Sequence, residues 1–362
     1  MHKVKLSEIC TIVSGGTPSR AKPEYWQNGT IPWIKIGNIN TKWVDSADEY
    51  ITEAGFNNSS AKMLSKGTIL YTIFATLGEV GILKIAACTN QAIAGITIND
   101  SEKVIPDYLY YYLKSKKPFV NGIGRGVAQN NINMTILRSF EVPLPNYQDQ
   151  KIIVDILEKV STSIELRKRE LHSLDTLIKA RFVEMFGDPI RNEKGFETKS
   201  GEDVFKLSNG KFVPEHKRLE SGIPVYGGNG ISWFTDEILS EEDTVVVGRV
   251  GFQSGNVHLA EGPLWISDNA MYISELYDSD YDLRFLYWVM EHIDFTRYQD
   301  AGDLKKITQK PFMQMKYIKP PIYIQREYNA FVAQVDKSKF AVQKALEKSQ
   351  LLFDSLMQQY FG

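Results

Sequence analysis

Cysteine is nearly absent: Cys10 and Cys88 are the only two in 362 residues. They form no Cys-x-x-Cys pair and no disulfide framework, which places the chain in a reducing cytoplasm. Histidine is scarce too. The five are scattered, none lies in a His-Glu-x-x-His motif, and no metal site is expected. No apolar run approaches the roughly eighteen residues of a membrane span. The opening MHKVKLSEIC lacks the apolar core of a signal peptide. Excess charge is missing as well: 42 Lys and Arg against 44 Asp and Glu leave −2, which does not announce a nucleic-acid binder. What remains is an ordinary globular composition, 43% hydrophobic, long enough for two or three domains.

What is present is a repeat. RFVEMFGD at 181–188 returns as SLMQQYFG at 355–362. Setting each residue beside the one 175 or 176 positions later extends the match backwards. IPDYLYYYL (105–113) faces YDLRFLYWV (281–289), and NINMTILRSFEVPLP (131–145) faces ITQKPFMQMKYIKPP (307–321). GTILYTIFATLGEVG (67–81) has the outline of DTVVVGRVGFQSGNV (243–257), and TNQAIAGI (89–96) that of SDNAMYI (267–273). The period is half the chain, so the architecture is a duplicated domain and not a solenoid of short repeats.

Each half begins strand-rich, with β-branched runs such as TILYTIF and TVVVGRV between Gly, Asn and Pro turns. Each half then loses glycine and proline altogether, over 147–186 and 323–361. Such segments predict helices of roughly 39 residues, about 58 Å long. In the first, Leu157, Ile164, Leu171, Ile178 and Met185 form one stripe, and Ile153, Val160, Arg167, Leu174 and Arg181 the other. In the second the stripes are Val332, Lys339, Leu346, Phe353 and Tyr360, and Tyr328, Val335, Val342, Ser349 and Leu356. These are the a and d positions of heptads, and a long helix with one narrow apolar stripe needs a partner. The expected partner is the other copy, in an antiparallel coiled coil. Its seam is expected at Ile153, Leu157, Val160, Ile164, Leu171, Leu174 and Ile178 against Val332, Val335, Val342, Leu346, Phe353 and Leu356. The Lys, Ser and Arg interruptions would fix register or leave places for another protein to touch. The expected fold is therefore α+β. Two similar mixed α/β domains, 1–146 and 187–322, alternate with two long spacer helices, 147–186 and 323–362, as a pseudo-twofold internal repeat.

This layout resembles the specificity (S) subunit of type I restriction–modification systems. KLSEICTIVSGGTPSR, followed by YW and TIPWIKIGNI, resembles the start of that family's target-recognition domains. VPLPNYQDQ resembles its Pro-rich lead into the first helix, ending in Gln150. PPIYIQRE keeps that lead in the second half, with Gln325 in the corresponding role. FVEMFGDP resembles the end of the first helix. KLSNGKFVP and IPVYGGNG match more loosely, keeping only Gly and Pro positions. The resemblance covers essentially the whole chain, in the order of its motifs and twice over. It implies a chain with no catalytic residues. Such a chain binds double-stranded DNA at a split target and carries two methyltransferase (M) subunits and restriction (R) subunits to it. It implies no cofactor here, with S-adenosylmethionine on the M subunits and ATP and Mg on the R subunits. It also implies that the helices act as a ruler for the spacer between the two parts of the target. Two readers can both reach the major groove on one face of B-DNA when separated by about one turn, roughly 34 Å.

The near-zero net charge hides an asymmetry. Residues 1–146 hold 15 Lys and Arg against 11 acids, whereas 187–322 hold 15 against 22. DEILSEED (236–243) and DSDYD (278–282) carry much of the excess, pointing away from DNA or toward a basic partner. Phosphate neutralisation supplies much of DNA affinity. The chain alone is therefore expected to bind weakly, its role being base readout. Arg, Lys, Asn and Gln on loops suit that role. The candidates in the first half are Arg20, Lys22, Lys35, Asn38, Arg125, Gln129 and Asn130. In the second they are Asn229, Arg249, Lys305 and Lys306, with Arg249 aligned to Ile73, and Lys305 and Lys306 to Gln129 and Asn130. SGGTPS lacks the Gly-Lys-Ser/Thr ending of a phosphate loop and reads as a plain turn.

Two other classes compete. A structural coiled-coil scaffold would share the helices without the readers. An enzyme acting on DNA would need its own site. KPPIY (319–323) puts Lys319 where an adenine methyltransferase needs Asn or Asp, and no Gly-rich cofactor loop follows a first strand. A metal-dependent nuclease could draw on Asp188, Glu197 and Lys199, but its acids must flank a metal on adjacent strands.

Overall fold

The computed structural model describes residues 2–124, 131–302 and 305–362. The chain forms two compact units, Met1–Lys168 with Lys344–Gly362, and Arg169–Gln343. Each long helix is thus divided between both units, where the sequence set the helices apart as segments of their own.

The first unit holds strands β1 (Lys3–Lys5), β2 (Cys10–Ser14), β3 (Ile31–Ile34), β4 (Trp43–Val44), β5 (Glu49–Ile51), β6 (Ile69–Thr72), β7 (Val80–Leu83), β8 (Cys88–Thr89), β9 (Ile93–Ile98) and β10 (Glu141–Pro143). One sheet runs β2-β9-β6-β7-β4, a second runs β5-β3-β8, and β1 pairs with β10. The second unit holds β11 (Glu197–Ser200), β12 (Phe205–Asn209), β13 (Ile223–Gly227), β14 (Gly230–Thr235), β15 (Thr244–Gly248), β16 (Val257–Ala260), β17 (Trp265–Ile266), β18 (Ala270–Leu276) and β19 (Lys316–Lys319). Its sheets run β12-β18-β15-β16 and β14-β13-β17, and β11 pairs with β19. The order repeats strand for strand, apart from β4. Even the mixed pairing recurs: β3 is antiparallel to β5 and parallel to β8, and β13 is antiparallel to β14 and parallel to β17. The runs TILYTIF and TVVVGRV supply β6 and β15, each between two neighbours and buried along its whole length. Burial on both faces is why they read as continuous apolar runs and not as alternation. Cys10 and Cys88 are free and buried, and burial pushes their thiols up to about 12 and about 11.

The long helices span Tyr147–Phe186 and Ile322–Phe361. Prolines precede both, and at the start of the first the Asn146 side chain accepts from the Asp149 backbone N–H at 2.9 Å. Gly187 ends the first helix at φ +71, the left-handed backbone that suits glycine, its N–H bonding the Val183 carbonyl at 2.8 Å.

Gln150 and Gln325 are both fully buried in the first turn of their helices. The Gln150 amide oxygen accepts from Ile105 N–H at 3.0 Å, and its nitrogen donates to the Lys103 and Pro145 carbonyls. Gln325 accepts from Asp282 N–H at 2.9 Å and donates to the Asp280 and Pro320 carbonyls. Ile105 and Asp282 are the N-caps of the short helices Pro106–Ser115 and Leu283–Glu291. One side chain therefore ties the lead of each long helix to the start of the helix it packs on.

Each unit closes its core with a helix end drawn from the other half of the sequence. In the first unit Phe353, Met357 and Phe361 join Ile153, Leu157 and Ile164 in one apolar cluster. Phe361 sets its ring edge against Tyr108 and Tyr112, and Phe353 against Tyr111. In the second, Ile178, Phe182 and Phe186 join Tyr328, Val332 and Val335. Phe182 touches Phe186, Phe285 and Tyr328, and stacks on His292 at 3.9 Å. Within the second unit Asp175 pairs with Lys339, Ile178 with Tyr328 and Arg181 with Glu327, so the two helix segments run antiparallel there.

The stripe departs from the heptad expectation at both helix ends. The heptad stripes end on Arg181 and Met185, and on Leu356 and Tyr360, of which only Leu356 was expected on the seam; the deeply buried residues there are Phe182 and Phe186, and Met357 and Phe361. The spacing lengthens from alternating three and four to four because the last turns face the globular part of the unit and no longer a helix. Val160, Leu174, Leu346 and Leu356 are partly buried against the clusters, and Leu171 and Val342 are half-buried. The polar interruptions are paired across the helices: Arg167 donates to Ser349 Oγ at 2.6 Å, and Lys339 meets Asp175, beside the stripe, at 2.6 Å. Such pairs fix register.

In the second unit Asp278 lies between Lys199 and Lys319, at 2.6 and 2.9 Å. Burial opposes its ionisation, but the two ammonium groups and the Asp280 N–H prevail and hold it at about 2.

Two measurements check this packing. Gln150→Ala and Gln325→Ala each orphan three backbone groups, and each variant is expected to lose about 3 kcal/mol in denaturant unfolding, at about 1–3 kcal/mol per buried orphan. A loss under about 0.5 kcal/mol, the level of an ordinary surface substitution, would contradict the role. For Asp278, folding lowers the pKa, so its pairing stabilises fully above the ordinary value near 4. It is lost as pH falls toward about 2. Asp278→Asn should flatten the acid limb of the unfolding profile in that window; an unchanged limb would contradict the pairing.

Candidate nucleic-acid interface

In the first unit the loop after β2 carries Arg20, and close packing fixes it. A Cβ at Gly15 or Gly16 would meet backbone of Thr89 and Asn90, or of Ser60 and Ala61, within 2.5 Å. SGGTPS is therefore a compact turn against a neighbouring strand. Trp33 Nε1 donates to the Gly16 carbonyl at 2.9 Å, and Trp26 Nε1 to the Ser19 carbonyl at 3.1 Å. Arg20 then lies over the Trp26 ring at 3.6 Å and reaches Glu49 at 2.5 Å. Lys35 reaches the other Glu49 oxygen at 2.8 Å. The hydrogen bond from Lys35 lowers the Glu49 pKa most; burial opposes it and Arg20 adds to it. Asn38 accepts from Lys35 N–H at 2.9 Å, which shapes the turn Ile36–Asn38.

Arg20 and Lys35 are thus brought together around one carboxylate that loop chemistry alone did not single out, and Asn38 joins them through the Lys35 backbone. Lys22 is turned elsewhere, its ammonium on the Tyr25 hydroxyl at 3.0 Å. Arg125, Gln129 and Asn130 lie outside the described residues.

In the second unit the tip of the β13–β14 hairpin, Gly228–Asn229, rests on the end of β15. A Cβ at Gly248 would meet the Gln253 carbonyl oxygen at 2.6 Å and that of Gly228 at 2.8 Å. Arg249 follows, its N–H bonding the Asn269 carbonyl and its guanidinium the Asp268 carbonyl at 3.1 Å. Ile307 N–H donates to the Arg249 carbonyl at 3.0 Å, Gly251 N–H to that of Lys305 at 2.8 Å, and Val250 bridges Lys306. Asn229, Arg249, Lys305 and Lys306 therefore share one neighbourhood. The same ladder joins Ile73 to Ile132 and Phe74 to Asn131, so Arg249 does match Ile73. Lys306 matches Asn131, however, one residue later than the sequence alignment placed it. Low identity in this loop left the sequence no anchor for the register.

The acidic segments that opposed DNA binding are largely used within the unit. Asp243 and Glu261 hold Arg284, Glu237 pairs with Lys217, Asp282 caps the helix Leu283–Glu291, and Asp278 is paired as above. The enzyme candidates do not assemble. Asp188 caps the turn at Ile190 and Arg191, Glu197 is exposed, and Lys199 is bound to Asp278. Among the described residues no group of three His, Cys, Asp or Glu could hold a metal ion. Among them, too, no helix is long and apolar enough to cross a membrane.

Two related units, each with a cluster of Arg, Lys or Asn side chains beside packed glycines, agree with the comparisons with known proteins. The chain belongs to the type I restriction modification DNA specificity domain family, whose model matches residues 1–176 and again 193–351. It is 30% identical over 233 residues to the type I restriction enzyme MjaIX specificity subunit of Methanocaldococcus jannaschii, covering 59% of this chain and 53% of that protein. It is 30% identical over 182 residues to the EcoR124I/EcoR124II specificity subunit of Escherichia coli, covering 46% and 45%. The chain therefore spans about half the length of these two relatives. The EcoprrI specificity subunit of Escherichia coli is 25% identical over 300 residues, covering 77% and 74%. The fold is shared with the S subunit of the type I system of M. genitalium, at TM-score 0.59, 19% identity and coverage of 99% and 96%.

The packed glycines give a direct check on the second cluster. Gly248→Ala is expected to cost about 2 kcal/mol or more in thermal unfolding, because backbone and not a flexible side chain blocks the methyl group. Gly37→Ala, which has nothing within 4 Å of its Cβ, should be neutral. Equal effects would contradict the close approach of hairpin and strand.

Proposed function

We propose that this chain is the non-catalytic specificity subunit of a type I restriction–modification complex. Each unit reads one part of a bipartite double-stranded DNA target, through Arg20, Lys35 and Asn38 in the first and Asn229, Arg249, Lys305 and Lys306 in the second. Two methyltransferase subunits and restriction subunits dock on it in the cytoplasm. The methyl donor S-adenosylmethionine belongs to the former, ATP and Mg to the latter. The observation that carries this reading is the family match to both halves of the chain, joined to the recurrence of strand order in both units.

The chemistry supports the division of labour. Arg and Asn read base edges by paired hydrogen bonds, each worth about 1–3 kcal/mol of discrimination. A chain with net charge −2 contributes little to the phosphate term, so affinity comes chiefly from the assembled complex. The cations are also held in advance: Glu49 fixes Arg20 and Lys35, so little side-chain freedom is lost on binding.

The length of the helices is proposed to set the spacer of the target. One heptad added at matching points of both helices lengthens each by about 10 Å. That is about three base pairs at about 3.4 Å per pair. Single-molecule methylome sequencing of cells with and without the gene should show a split adenine-methylated motif that depends on it, with the spacer lengthened in the heptad variant. Loss of the gene without loss of any motif would overturn the function. A motif whose spacer ignores the insertion would overturn the ruler alone.

A further inference from the structure

Phe252 took no part in the sequence-based candidates, yet among the described residues it is the most exposed large hydrophobic, at 87%. No aromatic ring of the described residues packs on it. It lies in the loop that leaves β15 through Arg249, next to Lys305 and Lys306. We infer that Phe252 is a base-contacting residue: its ring meets the bases of the half-site that the second unit reads. The inference rests on the specificity-subunit reading above and goes beyond it in assigning an apolar contact.

The loop is fastened, not slack. Gly251 N–H is held by the Lys305 carbonyl at 2.8 Å, Ser254 N–H by that of Gly251 at 3.0 Å, and Gly255 N–H by that of Gly248 at 2.8 Å. The Gln299 amide donates to the Ser254 carbonyl at 2.6 Å and the Phe252 carbonyl at 3.5 Å. Gly251 and Gly255 both sit at φ +95, a left-handed backbone that β-carbon-bearing residues avoid. These two turns bracket Phe252 and leave its ring in solvent. A ring in water forgoes the stabilisation that burial gives, and here five hydrogen bonds fasten the loop around a residue that stays outside.

Its surroundings favour DNA as the partner. Arg249, Lys305 and Lys306 reach the same place through the Gly251–Lys305 and Val250–Lys306 pairings, and such cations suit phosphates and guanine edges. An aromatic side chain among them can touch a thymine methyl group or a base face. The first unit offers a counterpart. Its matching loop, closed by Gly78 N–H on the Thr72 carbonyl as Gly255 closes on Gly248, exposes Phe74 to 41%. Phe74 sits at the place of Val250, so each unit presents a phenylalanine from this loop at a different step. That is what two readers of different sequences require.

The test uses the intact complex in cells, with methylome sequencing of wild type, Phe252→Ala and Phe252→Leu. In Phe252→Ala, methylation of the motif is expected to fall roughly tenfold, the scale of one lost base contact. Base preference should relax at one or two positions of a single half-site, with the other half and the spacer unchanged. Phe252→Leu, which keeps apolar bulk, should lie between. A wild-type motif that Phe252→Ala leaves unaltered in rate and sequence overturns this inference and leaves the function standing. Loss of methyltransferase co-purification with the variant overturns it too, by marking the ring as a protein contact. A wild type that deposits no motif refutes the function itself. Phe252 is exposed, so its melting temperature should not move; a fall of several degrees would show a packing role and overturn the assignment.

Discussion

Neither unit can close its apolar core with its own half of the sequence. The first takes Phe353, Met357 and Phe361 from the end of the second long helix, and the second takes Ile178, Phe182 and Phe186 from the end of the first. Truncating any one of these side chains to alanine would cost about 2–5 kcal/mol, a large fraction of a domain's stability. This exchange of helix ends is what makes both helices obligatory. Gln150 and Gln325 then lock each helix start to the short helix on which the borrowed end packs. The arrangement is the same in both units because the underlying sequence is the same sentence written twice.

On that frame the two candidate sites differ where they should. The ladders of β6 and β15 match residue by residue up to Ile73 and Arg249, and there the side chains diverge in kind. A shared scaffold with unlike loop residues is the general solution for binding surfaces, since loops vary at little cost to the core. The first unit organises its cations around Glu49 and a tryptophan pair. The second organises them around two glycines whose backbones touch, and spends its acidic excess on internal pairs such as Asp243–Arg284 and Lys199–Asp278.

Most of the architecture was legible in the residues. The missing glycine and proline of 147–186 and 323–361 marked the helices to within a residue, and the heptad stripes marked most of the buried positions. The slip at Phe182, Phe186, Met357 and Phe361 was not legible, because periodicity assumes one partner along the helix and here the partner changes. At the candidate site the reach was shorter. Arg20, Lys35 and Asn38 could be named from residue type, and so could Arg249. Glu49 was hidden because its role depends on β3 and β5 lying side by side. Phe252 was hidden because an apolar letter in a glycine-rich loop looks the same whether its ring points in or out.

Hydrogen exchange on a single variant tests the exchanged helix ends most directly. In Phe361→Ala, amides of the helix Pro106–Ser115, whose Tyr108 and Tyr112 rings meet Phe361, should lose protection, while those of Leu283–Glu291 keep it. Unchanged protection in Pro106–Ser115, or an equal loss in both helices, would contradict the claim that each core is completed by the far end of the chain.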